Sequence, residues 1–129
     1  MDNLISVSFR PVLNYSGLYE VDDKGNVWKL CTDGTLTKIK PRCVGAKMEY
    51  RAVCLTKNHI TKQYLIDTLV CESFKGLPRE NPDGTAFRTM PEVYHLNGKL
   101  QDNTADNLVW ADRFFIEMES LEDAEQNKK

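Results

Sequence analysis

The chemistry open to this chain centres on one histidine and a run of amides. His95 stands in VYHLNGKLQDNTADNLVW, residues 93–110, and Asn97, Asn103 and Asn107 follow it before the chain returns to apolar residues. An imidazole ordinarily titrates near ~6.5, so it can take a proton from water or orient a neighbouring group at neutral pH. Asparagine side chains bond to nearby backbone and suit turns. Two readings stand. In one, His95 is the general base of a hydrolytic site. In the other it ties a strand end to a loop that Asn103 and Asn107 cap. The second histidine, His59, lies in a KNH turn and is expected at the surface. Asp22–Asp23 has no partner pattern that would make it a catalytic dyad. Trp110, Trp28 and Tyr50 are expected to pack rather than to contact a ligand.

The elements that must position these residues follow from periodicity. The first half reads as short antiparallel strands: GLYEVDD, NVWKL closed by Asp33–Gly34, TLTKIK ended by Pro41, then YRAVCLT and ITKQYL flanking KNH. In YLIDTLVCESFKG the period changes to helical, with Gly76 as the stop before Pro78. LPRENPDGTAFRTMP is loop, EVYHL a short strand, NGKLQDNTADN polar loop, and LVWA a second strand or an extended return. The last segment, DRFFIEMESLEDAEQNKK, predicts a helix capped by Asp112, with Phe114, Met118 and Leu121 on one face and Glu117, Glu119, Glu122, Asp123 and Glu125 on the acidic one. Residues 127–129 are expected to fray.

Length and composition bound the class. A chain of 129 residues with 41% hydrophobic and 28% charged residues is that of one compact globular domain with an apolar core. No apolar run approaches the ~20 residues of a membrane helix, and the N-terminus lacks the basic and apolar regions of a secretion signal. Cys31, Cys43, Cys54 and Cys71 show no C-x-x-C pair, so free thiols and a cytoplasmic location are expected. The net charge of −2 does not favour nucleic acid, but the charge is unevenly placed. Residues 1–60 carry nine basic and six acidic side chains, against eight basic and thirteen acidic in 61–129. Lys29, Lys38, Lys40, Arg42, Lys47, Arg51, Lys57 and Lys62 are scattered along the strand-rich half. They are either the solvated outer face of a half-buried sheet or a basic ribbon laid along a nucleic-acid groove.

Two segments resemble known modules, in the expected order. FRPVLNYSGLYEVDDKGNVWKL resembles the nuclease-associated modular (NUMOD-type) domain at the start of many phage and intron-encoded HNH endonucleases, through Tyr15, Gly17, Tyr19, Glu20, Val21, Gly25 and Val27, with Tyr50, Val53 and Leu55 further on. LVCESF matches the helix that precedes the nuclease motif. HLNGKLQDNTADNLVW is similar to the HNH core, with His95, Gly98, Asn103, Asn107, Leu108 and Trp110 at the family's spacing. The resemblance implies an α+β fold, with an antiparallel β module over residues 1–64 and a helix plus ββα core over 65–126. It implies His95 as general base on water, Asn107 orienting its ring, and one divalent ion, Mg2+ or Mn2+, at the scissile phosphate of DNA.

The family's ligand positions carry other residues here. Tyr94 stands where an acidic residue usually precedes the histidine, and Ile116 where a final asparagine falls. Neither is a ligand for a hard cation at neutral pH. Asp67 and Thr68 replace the start of an HRLV element. A shifted site would draw on Glu92 and Asp112. The expectation is therefore an HNH-like scaffold without metal-dependent cleavage and without a cofactor. It would serve as a nucleic-acid-binding or protein-interaction module, in the latter case an inhibitor of a host nuclease or defence enzyme. The alternative is an active HNH homing-type endonuclease. Neither a membrane nor a small-molecule substrate is expected as partner.

Overall fold

The structure, a computed structural model, describes residues 6–126, with side chains through Glu122. The tail expected to fray, and the side chains of Asp123 and Glu125, lie outside these described residues.

Three antiparallel sheets follow one another along the chain. The first has β1 (Phe9–Pro11), β2 (Tyr19–Asp22), β3 (Val27–Leu30) and β4 (Leu36–Lys38) in sequential order. The second has β5 (Arg42–Val44), β6 (Tyr50–Lys57) and β7 (Ile60–Leu65). The third is β8 (Glu92–His95) paired with β9 (Leu108–Ala111). Between the second and third sheets comes α1 (Ile66–Lys75), and α2 (Arg113–Gln126) closes the chain. Five of these strands were legible as alternating runs in the first half. The edge strands β1 and β5 were not, because neither three-residue run sits inside a longer alternating segment as β4 does within TLTKIK.

The turns are set by residues that accept a left-handed backbone. Gly34 (φ 88°) turns β3 into β4, and Asn58 (φ 51°) with His59 (φ 65°) turns β6 into β7. The β2–β3 turn is organised by the buried Asp22. Its Oδ1 accepts from the Lys24 and Asn26 amides at 3.0 and 2.9 Å, and its Oδ2 from Asn26 Nδ2 and Trp28 Nε1, both at 3.0 Å. Desolvation works to raise the Asp22 carboxyl, but the bonds from Asn26, Trp28 and Lys24 outweigh it and hold the pKa below the ordinary carboxylate value. Asp22 thus fixes a turn.

One core joins the parts. Val12 and Tyr15 of the β1–β2 loop, with Tyr19, Val21 and Val27 of the first sheet, meet Val53 and Leu55 of β6, Ile66, Leu69 and Val70 of α1, and Leu108 of β9. Leu55, Val70 and Leu108 are fully covered, each worth about 1.5–3 kcal/mol in removed apolar surface. Helix α1 starts directly from β7 and buries the face that carries Ile66, Leu69 and Val70, as the helical spacing predicts. It ends at Gly76 (φ 79°). Trp110 packs against this core and donates from Nε1 to Gly76 O at 2.8 Å.

Helix α2 departs from expectation. Phe114, Met118 and Leu121 do share a face, but they are 46%, 48% and 61% exposed, and Ile116 is the residue that goes inside. The Asp112 cap is as expected. Oδ1 accepts from Phe115 N at 2.8 Å, and Oδ2 takes Arg88 N at 2.7 Å, which pins the long loop to the helix start. The Asp112 amide donates in turn to Asn81 Oδ1 at 2.9 Å. The bonds from Arg88 and Phe115 hold this carboxyl below its ordinary range. Asp112→Ala removes both a helix cap and a loop anchor. It is expected to lower Tm by about 5–10 °C in thermal melts, whereas Asp112→Asn should lose less.

Candidate site around His95

Antiparallel pairing dictates where His95 points. In β8, Val93 and His95 lie on one face and Glu92 and Tyr94 on the other. The inner row pairs Val93 with Trp110 and His95 with Leu108. His95 is therefore buried, at 3% exposure. Two further elements bring polar groups to it. The first turn of α1 supplies Asp67, whose Oδ2 is 3.5 Å from His95 Nε2. The loop after β8 supplies Asn103, whose Oδ1 is 3.3 Å from the same nitrogen. Both distances exceed the ~2.9–3.0 Å of a well-formed N–H···O bond. They mark a buried polar cluster sharing one ring nitrogen.

Asp67 and Asn103 are themselves 5% and 7% exposed. Burial raises the Asp67 carboxyl above its ordinary pKa, with the nearby His95 acting in the opposite direction. Thr68 Oγ1 donates to Asp67 Oδ1 at 3.1 Å. A cleft of about 340 Å3 has Asp67, Tyr50, Glu92 and Trp110 in its wall.

The amide beside the histidine is Asn103, where the resemblance pointed to Asn107. Both polar atoms of the Asn107 side chain are engaged within the loop. Oδ1 accepts from Asn97 N at 2.9 Å, and Nδ2 donates to Asp102 O at 2.9 Å. Asn107 therefore shapes the loop that carries Asn103. The partner that sequence reading did not place is Asp67. Its only signal was the position it shares with the start of the HRLV element, on a helix remote in sequence from His95.

The residues present do not fit the divalent ion that the resemblance implies. Ile116 is buried and has no donor atom, and Tyr94 stacks edge-on to Phe115 with ring centroids 6.5 Å apart. Glu92 forms an ion pair with Arg113, and strand alternation turns it away from His95. Asp112 is committed to backbone amides. Among the described residues no three His, Cys, Asp or Glu side chains come together as ligands.

The basic residues are dispersed. Lys38 pairs with Trp28 and Lys29 with Thr37, which places the two lysines on opposite faces of the first sheet. Arg42 pairs with Ala52 and Arg51 with Cys43, again on opposite faces. Lys29, Lys38, Lys40, Arg42, Lys47 and Lys57 are exposed. Arg51 is half-buried. Its Nη2 donates to Gln101 Oε1 at 2.8 Å, while its buried Nη1 has no partner among the described residues. Arg51 thus ties the second sheet to the loop that follows His95. His59 is exposed, as its turn position predicts. All four cysteines are free thiols. No helix among the described residues is long and apolar enough to cross a membrane.

This arrangement is similar to that of a solved structure described as DNA binding and cleavage by the HNH homing endonuclease I-HmuI. The TM-score is 0.70 over 91% of this chain, with 20% sequence identity. The chain spans 59% of the length of that one. No protein-family model and no curated protein matches the chain. The α+β fold is thus of the HNH-endonuclease type.

Proposed function

We propose that this chain is an HNH-type scaffold that binds DNA and does not cut it through a metal ion. The observation that carries the reading is the pair of side chains at the coordinating corners. Ile116 is buried without a donor atom, and the Tyr94 ring is packed on Phe115. His95 fits this reading, since its Nε2 lies between Asp67 and Asn103 inside the protein. The similar fold of a DNA-binding endonuclease and the exposed lysines and arginines support DNA as the partner. With a net charge of −2 and basic groups on both faces of two sheets, binding is modest and weakens as salt rises.

Supercoiled plasmid incubated with the protein and Mg2+ or Mn2+ is expected to stay supercoiled. Metal-dependent nicking that disappears in a folded His95→Gln variant would overturn the reading. The exposed stripe of Phe114, Met118 and Leu121 on α2 favours a second reading, a protein-contact surface. A pull-down from host lysate, repeated after nuclease digestion, separates the two, because material lost on digestion was held through nucleic acid.

A further inference from the structure

The β6–β7 hairpin and the loop ahead of β2 enclose a second pocket, of about 240 Å3, whose wall includes Asn14, Tyr15, Lys57, Asn58, Lys62 and Tyr64. Tyr15 is buried, at 6% exposure, and its hydroxyl lies 2.8 Å from that of Tyr64. Two phenols carry two hydroxyl hydrogens, and one is used between them. No other acceptor among the described residues takes the second. One O–H donor is therefore left for whatever enters the pocket. The bond to Tyr64, together with burial, raises the Tyr15 pKa, so the Tyr15 hydroxyl keeps its proton at neutral pH.

The charge around this pair has one sign. Lys57 Nζ donates to Asn14 O at 2.6 Å and sits 5.8 Å from the Tyr15 ring centroid. Lys62, on the paired strand, is exposed and has neither a hydrogen-bond nor an ion-pair partner among the described residues. No carboxylate lines the pocket. The cleft beside Asp67 is the opposite case, with Asp67 and Glu92 and no lysine or arginine in its wall.

We propose that the hairpin pocket is an oxyanion site that takes one phosphodiester group of nucleic acid, with Lys57 and Lys62 supplying charge and the Tyr15–Tyr64 pair supplying the O–H donor. This rests on the nucleic-acid-binding reading above and deepens it. The scaffold holds the backbone at the hairpin, away from the histidine cluster. Lysine serves as a point charge for phosphate, and a protonated phenol directs a hydrogen bond to the same group.

The test is fluorescence anisotropy of the full chain with a labelled DNA duplex across a salt series. Lys62→Gln and Tyr64→Phe are the informative variants, since neither residue caps an element. Lys75→Gln, at the end of α1, makes the same charge change elsewhere. Lys62→Gln is expected to weaken binding by about 3- to 10-fold at low salt and to reduce the slope of log K against log salt by about 0.9. Tyr64→Phe should weaken binding with the slope kept, and Lys75→Gln should match the wild type. A wild type that binds, with Lys62→Gln and Tyr64→Phe equally tight, overturns the pocket and leaves the DNA-binding reading in place. A wild type that binds no duplex overturns both. Saturable shifts of the Tyr15 and Tyr64 ring resonances with inorganic phosphate alone would then assign the pocket to free phosphate.

Discussion

Gly25→Ala is expected to destabilise the protein by about 2–4 kcal/mol, from a left-handed backbone and a backbone collision together. Gly25 has φ +91°, and a Cβ built there lies 2.8 Å from Asn103 O, 2.9 Å from Asn103 Cβ and 3.0 Å from Asn103 C. None of these is the end of a flexible side chain, so the loop itself must move. That loop is already held to the same turn, where Ala105 N donates to Asp23 O at 2.9 Å. Displacing Asn103 also takes its amide oxygen away from His95. Gly17 is the internal control. It too has a positive φ, +83°, but a Cβ there meets nothing within 4 Å. Gly17→Ala should therefore cost only about 1 kcal/mol, the backbone part alone. Urea unfolding of the two variants decides the matter. Equal losses would mean that the close approach to Asn103 contributes nothing.

The second large effect is at the buried pair. His95→Ala is expected to cost about 3 kcal/mol or more, because it opens a cavity and leaves the Asp67 carboxylate buried without the imidazole. Asp67→Asn keeps the shape and removes the charge. In that background His95→Ala should cost clearly less, and the difference is the coupling of the two groups. Additive losses would show that they act independently. The pH dependence has a definite sign. The folded state raises the Asp67 pKa, so it holds that proton more tightly than the unfolded chain does. The contribution of Asp67 is therefore fully present below its unfolded value, near ~3.9, and is lost as pH rises through the raised folded value. Tm measured from about pH 4 upward should fall more in the wild type than in Asp67→Asn. A steeper fall in the variant would contradict the assignment.

These two effects bear on what the histidine is for. A general base has to reach water, and its removal reduces activity while the fold survives. A histidine enclosed by Leu108, Asp67 and Asn103 makes its removal a folding defect first. The interior around His95 is thus part of the architecture of the core.

The sequence by itself determined the local elements and much of the interior. Alternation placed β2, β3, β4, β6 and β7, short apolar runs between polar loops placed β8 and β9, helical spacing placed α1, and the Asp112 cap marked the start of α2. Each of these is set by neighbours a few residues apart, which is the range that periodicity and capping report. The side-chain chemistry of Tyr94, a phenol, and of Ile116, an alkyl group, was also legible, since it needs no coordinates. Only the tertiary structure decided which groups meet. It put Asp67 of α1 and Asn103 of a distant loop on one ring nitrogen, left the Phe114–Met118–Leu121 face open, and divided the basic residues between sheet faces. It also brought the hydroxyl of Tyr15, in the loop ahead of β2, within 2.8 Å of that of Tyr64 in β7. Such contacts depend on how separate elements pack, and packing responds to shape and burial over the whole core, which no local pattern encodes.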